Sequence, residues 1–367
     1  MRSEEIIPLK IGELTAKRPI IQDGMGVGVS LSSLAGAVAA EGGIGVISTA
    51  QIGFYRPDFE RNPLEANLKA IKEQIVLARE KAKGGIIGAN IMVATRNYKE
   101  YVMAAVRAGV DFIISGAGLP KNLPEYVRES AVKIAPIVSS EKAAKVICRL
   151  WDRKHHCARE MVVIEGPRAG GHLGFSEKEL EPFVRKDDSA IEQMTTDYGE
   201  DIRRIIRVCR EYGEKYEKEI PVIVAGGIDT PEKARYAFSL GASGIQAATP
   251  FVATEECDAH KSFKEAYIKA KKEDVVILKS PVGMPGRGIK NTFLENVARG
   301  RRNEIHCKQC LEGCNPATIP YCITDALIRA VRGDVENGLV FCGANVDKIK
   351  RISTVREVIA DILGVAV

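Results

Sequence analysis

Long hydrophobic runs are missing from this chain of 367 residues. No apolar stretch approaches the ~18 residues needed to cross a bilayer. The N-terminal MRSEEIIPLK is charged and lacks the apolar centre of a secretory signal. An excess of one charge is missing too. The formal net charge is only +5, and basic residues are mixed with acids, as in KEAYIKAKKED. No basic stripe is left for a nucleic acid. These absences predict a cytoplasmic protein with neither a membrane nor a nucleic acid as partner. The small basic excess still suits an anionic, phosphate-bearing ligand. There is also no G-x-G-x-x-G followed by an acidic residue at the expected distance, which argues against a Rossmann nucleotide domain.

Histidine is scarce, with five in all. One of them, His172, stands in EGPRAGGHLGF (Glu165–Phe175), where glycines leave few neighbouring side chains. Small neighbours suggest that something flat or bulky approaches the backbone there and that the imidazole faces it. A core histidine bonded to backbone is the plainer alternative. His155 and His156, in WDRKHHC, read as a solvated helix end, and His260, in DAHKSF, as a helix start.

Short apolar runs are what the first two-thirds of the chain does have. They are Pro19–Gln22, Ile44–Ser48, Ile86–Met92, Asp111–Ser115, Ile134–Val138, Met161–Glu165, Pro221–Ala225 and Gly244–Ala248. None alternates apolar with polar residues, as expected of parallel strands buried on both faces. Amphipathic helical stretches separate them, and Asp229-Thr-Pro-Glu232 reads as a helix start. Eight strand–helix units in series predict an α/β fold, a (β/α)8 TIM barrel, with a doubly wound open sheet as the alternative. The glycines of QDGMGVG, SGAG, AGGHLG and AGGI all follow strands. That gathers the special backbone positions at one end, which in a barrel is a single mouth.

Residues 1–278 are therefore expected to form the barrel. Residues 176–219, inserted after strand six, are longer than one helix needs and form either a lid or a solvated insertion. Residues 279–367 are expected to be a Cys-rich, helical segment packed on the barrel. The turns PVIVAGGIDTPEKA and GIQAATPF follow strands seven and eight, where barrels commonly bind phosphate.

Taken in order, PIIQDGMGVGVS, GANIMVA, SGAGLP, IEGPRAGGHLG, PVIVAGGI and GIQAATPFVATEECDAH resemble the motifs of the nitronate monooxygenase (2-nitropropane dioxygenase) group. That group includes the FMN-dependent enoyl-acyl-carrier-protein reductase II. The resemblance runs from about Ile6 to Ala270 and returns in ALIRAVRGDVENG. It implies an FMN-dependent oxidoreductase. Gly24 and Met25 would place backbone against the flavin ring, Asn90 would bind the cofactor, and Gly170 would lie beside the ring. Gly226 and Gly227, with Gln246, Ala247, Ala248 and Thr249, would hold the phosphate. Glu165 occupies a position where the group has Gln or Glu. His172 matches the catalytic histidine, and a pKa near neutrality would let it act as acid and base.

Two reactions are implied. One oxidises alkyl nitronates to carbonyl compounds and nitrite. The other reduces an enoyl thioester, with NADH or NADPH as co-substrate and an acyl carrier protein as partner. QDGM and KSPVGMPGRGIKN lean toward the reductase, whereas the insertion and the Cys-rich tail depart from it. The nitronate reaction is the assignment for the group as a whole and is the one adopted. A non-catalytic FMN-binding regulator is a third class, and pairing of barrels as a homodimer is expected.

Cysteine is not scarce. Nine cysteines in a cytoplasmic chain argue for thiols or metal ligands over disulfides. HCKQCLEGCNPATIPYC spaces Cys307, Cys310, Cys314 and Cys322 so that they can wrap one metal centre, either a 4Fe–4S cluster or zinc, with His306 a weaker ligand. The spacing looks like the cluster segment of the iron–sulfur relatives of old yellow enzyme. A set of reduced thiols is the alternative.

Overall fold

A computed structural model describes residues 7–157, 160–184, 198–301, 305 and 307–366. All eight expected strands form, at Ile20–Gln22, Ile44–Ser48, Ile86–Asn90, Phe112–Ser115, Lys133–Val138, Val162–Glu165, Val222–Ala225 and Gly244–Ala247. They pair in parallel and in sequence order, and the eighth pairs with the first, so the sheet closes into a barrel. The open-sheet alternative is excluded by that last pairing.

The period of two along each strand divides the core. Ile21, Ile44, Val46, Phe112, Ile114, Val163 and Ile223 face inward and fill the barrel. Ile20, Ile47, Ile87, Ile113, Val162, Val224 and Ile245 belong to the outer layer beneath the helices. Gly88 illustrates the fit, because a Cβ there would lie 2.2 Å from the Phe112 ring. The N-terminal hairpin, Leu9–Ile11 with Leu14–Ala16, adds Leu9 and Ile11 to the same interior cluster and plugs the closed end.

Helices return each strand to the next. The helix expected to begin at Asp229 is Pro231–Ser239; its cap is Thr230, whose hydroxyl accepts from the Lys233 N–H. The ring closes with the chain's last helix, Val355–Leu363, which packs against both Ser32–Ala40 and Pro231–Ser239. Residues beyond 279 thus complete the barrel as well as covering it.

The expected insertion divides in two. Gly199–Lys215 packs on Glu141–His155 and on strand six, as the ring helix between strands six and seven. Glu177–Val184 is a separate short helix, and residues 185–197 lie outside the described residues. A hairpin from the C-terminal segment lies over the mouth. Val275–Lys279 and Pro285–Ile289 form a hairpin, and Gly171–His172 adds a third antiparallel strand to it. Among the described residues, no helix is long and apolar enough to cross a membrane.

Candidate active site

Strand parity decides which polar residues meet at the mouth. Asp23, Asn90, Glu165 and Gln246 continue the inward series one step beyond the apolar filling. Glu165, Ala225 and Gln246 are in register with one another, so they lie at one level around the barrel. The result is a polar floor beneath a cavity of about 530 Å³.

His172, Gly24, Met25, Asn90, Glu165, Gly170, Gly226, Gly227, Gln246, Ala247, Ala248 and Thr249 all line this cavity. The glycines have more than one job. A Cβ on Gly24 would lie 2.3 Å from Asn90 Cβ, and one on Gly170 would lie 2.6 Å from the Cys342 backbone. Gly170 is therefore small because the C-terminal segment crosses it, and not only to leave room for a ligand. Gln246 and Ala247 belong to strand eight itself. The Gln246 amide hydrogen-bonds Asp23 on the floor, away from the turn that follows.

That turn and its neighbour make a backbone cradle. Gly226 and Gly227 have φ of +101° and +82°, a region that favours glycine. The carbonyl of Gly227 is held from behind by Lys233 Nζ at 3.1 Å and Asn345 Nδ2 at 3.3 Å. Both donors also bind Asp229, at 2.6 and 3.0 Å. A trans peptide then turns the Ile228 N–H the opposite way. The Gly343 N–H donates to Thr249 Oγ1 at 3.0 Å, which brings the C-terminal segment onto the same cradle. Arg168, buried in the cavity wall, is the neighbouring cation.

His172 sits on the short strand that joins the covering hairpin. Its Nε2 lies 2.8 Å from Ser280 Oγ, and Phe341 packs edge-on against its ring at 5.1 Å. Burial pushes its pKa down to about 4, so the imidazole is neutral at neutral pH, rather than titrating there as expected from sequence. Two carboxyls move the other way. Burial raises Glu165 to about 8, with Asp23 adding to the effect, and raises Asp23 to about 6. The cavity reaches both groups, which are half-buried.

Asp23, Arg168, Ser280, Phe341 and Asn345 were not singled out from sequence. Asp23 had a signal, as a carboxylate directly after an apolar strand. The others reach the site only through the tertiary fold. His155 ends its helix with Nε2 3.0 Å from the Lys121 carbonyl, while exposed His156 caps it. His260 does start a helix, accepting from the Ser262 N–H.

The cysteine segment lies over the mouth, where the Arg96 N–H donates to the Cys310 carbonyl and Leu311 bridges to Thr95. The four cysteines expected to share a metal centre lie within electrostatic reach of one another, Cys310 of Cys307 and Cys314, and Cys322 of Cys310. Among the described residues, no three Cys, His, Asp or Glu side chains gather to hold an ion. Cys310 lines the cavity and accepts from Thr324 Oγ1 at 3.1 Å, Cys322 caps the helix Ile323–Val331, and Cys307 is exposed. Cys310, Cys314 and Cys322 are half-buried, and His306 lies outside the described residues.

A backbone cradle after strands seven and eight, with an imidazole over the mouth, is the ground plan of a barrel enzyme that works through a bound anionic cofactor. Residues 8–364 match the nitronate monooxygenase family, and the chain belongs to it. It is an oxidoreductase. A probable nitronate monooxygenase of Staphylococcus saprophyticus is 26% identical over 310 residues, covering 78% of this chain and 79% of the relative. FabK from Thermotoga maritima is 26% identical, with a TM-score of 0.70 over 94% of this chain and 91% of its own. The nitroalkane oxidase of Streptomyces ansochromogenes, at 17% identity, shares the fold with a TM-score of 0.68 over 94% of each chain.

Proposed function

We propose that the cavity holds FMN and that the protein oxidises alkyl nitronates to carbonyl compounds and nitrite, with His172 as the acid/base group. The residues fit the cofactor. The cavity of about 530 Å³ lies within the ~300–1,000 Å³ typical of cofactor sites. Gln246 Oε1 and Asn345 Oδ1 are buried in its wall without a partner, as polar atoms awaiting a ligand would be. Gly226, Gly227, Ala248 and Thr249 would hold the phosphate. Gly24, Met25, Asn90, Glu165, Gly170 and Gln246 would hold the ring, with Ala247 behind it. When bound, FMN supplies the electron acceptor.

The observation that carries the reaction is the setting of His172. A neutral imidazole is the form that accepts a proton, and in the tautomer that donates Nε2–H to Ser280, Nδ1 keeps its lone pair. It can then take the proton from the carbon next to a nitro group, the nitronate anion formed beside it offsetting the cost that burial places on the imidazolium.

A second reading draws on the likeness to FabK and on one feature of the cavity. Met92, Leu119, Val282, Met284, Leu311 and Leu327 line an apolar side that suits an acyl chain. It supports reduction of an enoyl thioester with NADH or NADPH, the thioester being carried by an acyl carrier protein.

An absorbance spectrum of anaerobically purified protein tests both. Flavin bands that bleach with an alkyl nitronate and ignore NADH and NADPH are expected. Prompt bleaching by a nicotinamide would replace the first reading with the second. Absence of flavin bands even after adding FMN would overturn both.

A further inference from the structure

The floor of the cavity contains two carboxyls, and among the described residues no cation is bonded to either. Glu165 ends strand six and Asp23 follows strand one, both pointing inward. Asp23 accepts from the Gly24 N–H and from the Asn90 and Gln246 side chains. Glu165 Oε2 accepts from the Gly174 N–H at 3.2 Å, which leaves its other oxygen for the cavity. Among the described residues, neither carboxyl forms an ion pair. Arg287 is the nearby cation acting on Glu165, and its guanidinium is committed to the carbonyls of Ala169 and Pro167. The other titratable groups around the pair are Arg168 in the cavity wall, neutral His172, Tyr198, whose hydroxyl donates to the Glu165 carbonyl, and Cys342 beside Arg287.

We propose that Glu165 carries a proton at neutral pH and presents its carboxyl O–H to the cavity as a hydrogen-bond donor, while Asp23 is the ionised member of the pair. Two unpaired negative charges on one half-buried floor would repel each other and lose much of their hydration. Holding one proton removes that conflict. Asp23 accepts from three donors and Glu165 from one, so the charge settles on Asp23 and the proton on Glu165, in line with burial raising Glu165 to about 8 and Asp23 to about 6. The ligand edge that meets Glu165 must then be an acceptor, such as a carbonyl or an unprotonated ring nitrogen of a flat heterocycle. This deepens the FMN reading and rests on it for the identity of the ligand. The proton itself does not depend on that reading.

Infrared difference spectroscopy of the ligand-free protein, wild type minus Glu165→Gln, tests the proton. A protonated-carboxyl band present at pH 7 and lost as the pH rises through about 8 is expected. No such band overturns the proposal. Asp23→Asn, which removes the neighbouring charge, should move the loss of the band to lower pH; an unmoved band overturns the coupling of the pair. FMN affinity, followed by fluorescence quenching against pH, tests the donor. Wild-type affinity should fall about tenfold per pH unit above about 8, and Glu165→Gln, which keeps an N–H donor, should stay level. Parallel curves overturn the donor role. Failure of both proteins to bind FMN at any pH overturns the FMN reading alone, and the infrared band still decides the proton.

Discussion

Ser280 Oγ and His172 Nε2 lie 2.8 Å apart although 108 residues separate them in sequence. Ser280 is buried at the turn of the covering hairpin, and His172 is on the strand added to that hairpin. The cover therefore orients the imidazole. Ser280→Ala should lower kcat for a neutral nitroalkane about tenfold, the worth of one hydrogen bond of ~1.4 kcal/mol. A preformed nitronate, which needs no proton removed, should be affected less. His172→Ala should keep its flavin and lose nitroalkane turnover. Initial rates on the two substrates check both, and equal losses on each would remove the proton-transfer role.

The stability of the ligand-free protein should respond to pH in two opposed windows. His172 has a folded pKa lowered from 6.5 to about 4. The unfolded state therefore binds more protons between those values, and stability falls as pH drops from 6.5 toward 4. Glu165 is raised from 4.5 to about 8, so the folded state holds the extra proton and stability falls as pH rises from 4.5 to about 8. Thermal melting should show Glu165→Gln gaining on wild type across the second window and levelling above it. His172→Gln should gain on wild type only below pH 6.5. A constant offset at every pH would contradict the linkage.

Gly170→Ala should destabilise the cover. The new Cβ would lie 2.6 Å from the Cys342 carbonyl carbon and oxygen, so backbone must move, at a cost of ~1–3 kcal/mol. Gly171→Ala provides the contrast, since its Cβ would meet nothing within 4 Å and only the φ of +68° is strained, at ~1–2 kcal/mol. Melting temperature and flavin content should both drop at Gly170, and flavin content should hold better at Gly171.

Thr249→Asp places a negative charge on the cradle and removes the hydroxyl that accepts from Gly343. FMN should be expelled while the barrel stays folded, a pairing that flavin content and circular dichroism read together. Normal flavin content would place the phosphate elsewhere.

The barrel and the floor of its mouth were legible in the sequence because both follow from short-range rules. Eight apolar runs separated by helical stretches announce parallel strands, and glycines at their ends announce the mouth. Asn90, Glu165 and Gln246 were marked by the family resemblance, and the strand register places them facing inward at the mouth. His172 stood out because glycines surrounded it. These are properties of neighbours in the chain, and the sequence by itself determined them.

What covers the site was decided only by tertiary structure. Nothing near Ser280, Phe341 or Asn345 marks them as partners of His172 or Gly227, because each meets its partner across more than a hundred residues. The neutral imidazole and the protonated carboxyl likewise come from burial, which depends on the whole fold and not on local sequence. The cysteines make the same point from the other side. Their spacing keeps Cys307, Cys310, Cys314 and Cys322 near one another, and the folded backbone gives each its own setting, with Cys310 lining the cavity, Cys322 at a helix cap and Cys307 exposed. Spacing limits which side chains can meet; the folded path of the chain determines which ones do.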